Sequence, residues 1–138
     1  MSETLQHTQL VSVILRWIHN KHMLTPGFLL YCDSPTALNT EKPPNVDGFY
    51  ADVYGVTSPP LITVLGEAKT IPDIDSERSF RQICAFLSFL SVRPDPTFVF
   101  AIPWQAKATA KNLVRLASKK VTAAGVATVY LTECDFQC

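Results

Sequence analysis

The sequence has no excess of charge of either sign. Twelve Lys and Arg balance twelve Asp and Glu over 138 residues, and charged residues make up only 17%. Nucleic-acid surfaces are usually basic, so this balance weighs against a large one, although a neutral chain can still segregate its charges. Low charge beside 47% hydrophobic residues also excludes a disordered segment, which has too little apolar surface to bury. No apolar run approaches the roughly 20 residues of a membrane-spanning helix. The stretch from Met1 to Gln9 is polar, with no basic-then-apolar leader pattern, so a cytoplasmic protein is expected. Cysteine pairs are missing too. Cys32, Cys84, Cys134 and Cys138 form no CxxC and no Cys/His cluster with zinc spacing, so free thiols are expected. His19 and His22 have no neighbours that complete a metal site and read as surface or cap residues. Repeats and low-complexity segments are absent, as are an appended helix-turn-helix, zinc finger or long basic arm.

What is present suits one domain, 1–138. Leu10, Val13, Ile14, Trp17 and Ile18 recur at helical spacing and predict a helix from about Ser2, as N-cap, to His22. Phe28 to Cys32 reads as a first strand, and Asp33 to Pro44 as a loop. Phe49 to Gly55 reads as a second strand, and Leu61 to about Lys69 as a third. The short link between them predicts an antiparallel hairpin. A helix capped near Asp75 or Ser76 should run to Leu90, with Ile83, Phe86, Leu87 and Leu90 on one side. Thr97 to Ile102 is almost wholly apolar, as a buried central strand would be. A long helix from about Trp104 to Ala123, stopped at Gly125, leads to a strand at Val126 to Leu131, and this crossover implies a parallel pair. Trp104 itself reads as a packing residue. The order is α-β-β-β-α-β-α-β, an α/β fold with a mixed sheet and flanking helices in three layers.

Side chains two apart on a strand share a face. Glu67 and Lys69 are such a pair, and they are the only charges in an apolar and small-residue run. A buried lone charge is expensive, so each should have a partner or a task. Asp52 is a lone charge on the second strand. In a hairpin, Asp52 can stand opposite Glu67. Two close carboxylates favour a divalent cation between them, and Mg²⁺ takes hard oxygen ligands, with the Ala68 carbonyl as a further donor. Lys69 would then orient a water or stabilise charge on a phosphate. The plain alternative is a structural ion pair at a sheet edge.

Asp52 on the second strand, Glu67-Ala68-Lys69 ending the third, then a helix and an apolar strand, together resemble the PD-(D/E)xK nuclease superfamily. Its α-β-β-β-α-β core matches from the first helix to Ile102, which leaves the later helix and strand as an extension. The family's "PD" stands here as Ala51-Asp52, without the proline, while "ExK" is intact. The resemblance implies a restriction-endonuclease-like fold and Mg²⁺-dependent hydrolysis of DNA, endonucleolytic rather than exonucleolytic, with Mn²⁺ able to substitute. It implies metal ligation by Asp52, Glu67 and Ala68, catalysis with Lys69, an added acidic ligand from the first helix at Glu3, and a helix glutamine at Gln82. Asp47, between Asn45-Val46 and Gly48, is the rival to Asp52 if the hairpin register is shifted. Asp73 and Asp75 read as turn and helix-start residues. Arg78 and Arg81, near the motif, and Lys107, Lys111 and Arg115, part of a stripe every four residues, are the expected DNA contacts. The plain alternative, and the preferred one, is that the stripe is the solvent face of an amphipathic helix. One site cuts one strand, so duplex cleavage would require a homodimer or two events. Two other readings stay open: a nuclease-fold module that binds or assembles without catalysis, and an unrelated α/β protein.

Overall fold

The computed structural model describes residues 4–33 and 42–136. Helix α1 (Leu5–His22) begins one residue after Thr4, whose extended backbone lets its hydroxyl accept from the His7 N–H. The cap is therefore Thr4 rather than Ser2; Ser2 and Glu3 lie outside the described residues. Leu10, Val11, Val13, Ile14 and Ile18 are buried on its inner face. His22, expected at the surface, is also buried, and its ring stacks on Phe28 at 4.7 Å between centroids. Burial, with Lys21 beside it, lowers the His22 pKa.

Strand β1 (Phe28–Cys32) follows. The expected strand from Phe49 to Gly55 is broken at Ala51-Asp52. Its first part pairs as a small hairpin, β2 (Asn45–Val46) with β3 (Phe49–Tyr50). Asp47 and Gly48 form the turn at φ 52° and 86°. Two-residue hairpins of this kind need positive φ at both central positions, and Asx-Gly supplies it. The Asn45 carboxamide oxygen accepts from the Gly48 N–H at 2.7 Å. The second part is β4 (Val53–Thr57), which pairs antiparallel with β1 and with β5 (Thr63–Ala68).

A four-residue helix, α2 (Ile71–Ile74), was not expected; it leads to α3 (Glu77–Ser91). Ser76 caps α3 by accepting from the Ser79 N–H at 3.1 Å, as its sequence position implies. Strand β6 (Pro96–Ala101), a short 3₁₀ turn, α4 (Lys107–Val121) and β7 (Ala127–Leu131) complete the order. Trp104, in that turn, is 61% exposed rather than packed. Helix α4 stops at Thr122, which takes the left-handed conformation at φ 56°, and not at Gly125. The Ala123 N–H then closes the helix end on the Ser118 carbonyl at 3.0 Å.

The sheet order is β1-β4-β5-β6-β7, with β5, β6 and β7 parallel. Both parallel connections step the same way across the sheet, and right-handed crossovers then put α3 and α4 on one face. They pack there over Leu65, Phe98 and Phe100. Helix α1 covers the other face, over Val53, Val64 and Val99. Every residue of the central strand β5 is buried. Gly66 lets α1 approach: a Cβ there would lie 2.6 Å from Ile14 Cγ2. The result is a mixed α/β fold in which the one charged side chain of β5, Glu67, stands near its C-terminal end.

Candidate functional site

Pairing of β4 with β5 sets Val53 opposite Gly66, and continuing that register puts Asp52 opposite Glu67. Side chain and backbone tie the two segments in both directions. The Asp52 N–H donates to Glu67 Oε1 at 3.2 Å, and the Ala68 N–H donates to Asp52 Oδ2 at 2.8 Å. Backbone therefore holds both carboxylates at the end of the sheet.

Glu67 is 4% exposed. Burial is the largest influence on its titration and raises the pKa well above the usual value of 4.5; the Asp52 charge raises it further. A hydrogen bond between the two carboxyl groups adds to the rise, while Lys69 and the Asp52 N–H oppose it. The group is poised to hold a proton or to share a cation.

Lys69 follows on the same face, with Nζ 3.4 Å from Glu67 Oε2. Its ammonium also donates to Gln82 Oε1. Gln82 is buried on α3, one turn after Ser79, so the cap at Ser76 sets where this partner stands. The Lys69 backbone is fixed as well, its N–H donating to the Ala101 carbonyl at 3.0 Å.

His7 joins the cluster from α1, with Nε2 3.3 Å from Asp52 Oδ2. Sequence reasoning missed it, although a signal exists. His7, Val11, Ile14 and Ile18 follow one another at helical spacing, so His7 continues the buried stripe toward the sheet end.

All of these except Asp52 open onto a cleft of about 480 Å³, lined by His7, Glu67, Lys69, Asp73, Arg78 and Gln82 among others. Asp52, Glu67, Ala68, Lys69 and Gln82 are thus brought together. Arg78 reaches the same cleft, whereas Arg81 lines a different cavity. Lys107, Lys111 and Arg115 are exposed on α4 and do not line the cleft. Arg115 bonds Asn112 Oδ1 at 2.6 Å, and Lys111 lies 5.8 Å from the Tyr130 ring centre. Asp47, in the β2–β3 turn, is separated from the cleft and also lines the other cavity, so it does not replace Asp52 opposite Glu67. Asp73 accepts from the Thr70 hydroxyl at 3.0 Å, in keeping with a turn role. Glu3 lies outside the described residues.

Among the described residues, no three His, Cys, Asp or Glu side chains gather as a metal-binding group. The cleft is lined by the Glu67 and Asp73 carboxylates, the Gln82 carboxamide and several hydroxyls, and Asp52 meets Glu67 without lining it. Comparison of the chain with protein-family models, with curated proteins and with solved structures returns no match.

Proposed function

We propose that the chain is a Mg²⁺-dependent nuclease acting on DNA, with a restriction-endonuclease-like fold and a site made of Asp52, Glu67 and Lys69. The observation that carries this reading is the Asp52–Glu67 pair, its carboxylates held by the backbone N–H groups of Ala68 and Asp52 respectively, with the Lys69 ammonium 3.4 Å from Glu67. The element order supports it, since the hairpin bearing the motif is followed by a helix and then a parallel strand.

The donors fit Mg²⁺ better than a softer metal. They are hard oxygens, few in number, and would leave most positions to water and a phosphate. Asp52 and Glu67 would hold the ion, with the Ala68 carbonyl as a third donor. Burial first and the Asp52 charge second raise the Glu67 pKa, and a cation shared by the two carboxylates would oppose both by favouring the ionised form. When bound, the ion supplies Lewis-acid polarisation of a phosphoryl oxygen and a more acidic water.

The chain's own residues would do the rest. Lys69, aimed by Gln82, presents N–H donors toward the scissile phosphate and stabilises charge as it develops. Arg78, at the rim of the same cleft, would grip a neighbouring phosphate oxygen. His7 fixes the Asp52 carboxylate from the α1 side.

Cleavage of single-stranded, duplex and branched DNA with Mg²⁺ or Mn²⁺ tests the proposal. The expected result is chelator-sensitive cutting by the wild type. Lys69→Ala should lower the rate by about 10²- to 10³-fold, the usual effect of removing one donor to a developing charge. Equal behaviour of the two proteins on every substrate would overturn it.

A second reading has one observation in its favour. Lys69 is engaged by Glu67 and Gln82, which also suits a structural ion pair in a fold that binds without cutting. Titration with Mn²⁺ separates the two. Affinity that depends on both Asp52 and Glu67 favours the nuclease.

A further inference from the structure

A second cavity, of about 400 Å³, lies where the β2–β3 hairpin meets α3 and α4. That volume is within the roughly 300–1,000 Å³ range of small-molecule sites. Its walls combine two aromatic rings, Phe49 and Phe80, with two cations, Arg81 and Lys120, and one carboxylate, Asp47. The residues come from three elements. Phe80, Arg81 and Cys84 share one side of α3, while Ser79 and Gln82 of the same helix face the Glu67 cleft.

Positive charge is held against both rings. Lys120 Nζ lies 5.5 Å from the Phe80 ring centre, and the Arg78 guanidinium lies 5.2 Å from that of Phe49. Arg78 therefore links the two sites: it lines the Glu67 cleft and covers a ring that walls the second cavity. Aromatic faces with cations beside them match a planar base attached to a phosphate. Asp47 adds an acceptor suited to the N–H groups of a base edge, which an aliphatic anion or inorganic phosphate does not offer.

We propose that this cavity takes one unpaired nucleotide of a DNA strand whose backbone passes Arg78 into the Glu67 cleft. The base stacks against Phe49 and Phe80, and its phosphate meets Arg81 and Lys120. The chain then prefers single-stranded or locally opened DNA over intact duplex, because a paired base cannot enter. This deepens the nuclease reading and rests on it for the choice of DNA as ligand.

The test uses the full chain in chelator, titrated into a short single-stranded oligodeoxynucleotide carrying one 2-aminopurine. Stacking should quench the fluorophore, and the single strand should bind more tightly than the matching duplex. Arg81 and Lys120 are exposed, so Arg81→Glu with Lys120→Glu leaves the core intact. That double variant should weaken single-strand binding by about tenfold or more, and Phe80→Leu should remove the quench. Wild-type affinity in the double variant, or an unchanged quench in Phe80→Leu, overturns the proposal. So does deoxyadenosine monophosphate binding as tightly as the oligonucleotide, which would make this a site for a free nucleotide.

Cleavage by the wild type in Mg²⁺ is scored separately. Cutting with a Phe80-independent quench sinks the pocket and spares the nuclease. A Phe80-dependent quench without cutting supports the pocket and sinks the nuclease.

Discussion

Glu67 is the residue at which folding and chemistry pull in opposite directions. It is buried beside Asp52, and its pKa is raised well above 4.5 by burial first and by its neighbour second. Between the unfolded and folded values, the folded protein holds a proton that the unfolded chain has lost. Stability linked to this group is therefore full below the unfolded value and is lost as pH climbs through the raised one. Glu67→Gln keeps a hydrogen-bonding side chain and removes the ionisation. Urea midpoints of wild type and variant should differ little near pH of about 4, with the variant pulling ahead toward pH of about 8. A wild type that gains on the variant over that span would contradict the burial argument. The same raised pKa makes cation binding proton-linked, since the ion needs an ionised carboxylate.

At the scale of elements, the close seating of α1 on the sheet positions the cleft. His7 meets Asp52 from a helix whose Ile14 sits on Gly66, where a Cβ would lie 2.6 Å from Ile14 Cγ2 and 3.3 Å from Val53 Cβ. Gly66→Ala should cost about 1–3 kcal/mol by overpacking. In an Ile14→Ala background the same substitution should cost clearly less, because the clashing methyl is gone. Chemical denaturation of the four proteins of that cycle measures it, and strict additivity would show that the contact does not limit the approach. Much at this scale is legible in the sequence. Helical spacing marks α1, α3 and α4, and the apolar run at Phe98–Ile102 marks a central strand. Period two marks Glu67 and Lys69 as neighbours on one face. What is not legible depends on tertiary context. Phe49 to Gly55 reads as one strand because nothing local marks the bend at Ala51-Asp52, and only the β4–β5 register puts Asp52 opposite Glu67. Thr122 carries no glycine-like sign that it ends α4 in the left-handed region. Gln82 meets Lys69 only once α3 is packed, although its place after the motif strand is visible.

For the whole molecule, balanced charge implies a small electrostatic footprint. Twelve basic and twelve acidic residues leave no formal net charge, and no helix of the described residues is long and apolar enough to cross a membrane. On the proposed path, Arg78, Arg81 and Lys120 meet phosphates while Lys107, Lys111 and Arg115 face away from the cleft on α4. Single-stranded DNA releases about 0.7 counterion per neutralised phosphate, so the slope of log affinity against log salt should be about −2. A slope steeper than about −4 would mean that the α4 stripe is engaged as well, and that DNA crosses a different face.

The central claim is that Asp52 and Glu67 share a cation. Crystals soaked in Mn²⁺ and measured at its absorption edge test it most directly. The account predicts one anomalous peak within about 2.0–2.3 Å of an oxygen from each carboxylate, close to the ligand distance of Mg²⁺. Saturating Mn²⁺ with no peak there, and with Asp52 Oδ2 still bonded to the Ala68 N–H and Glu67 Oε1 to the Asp52 N–H, would contradict it.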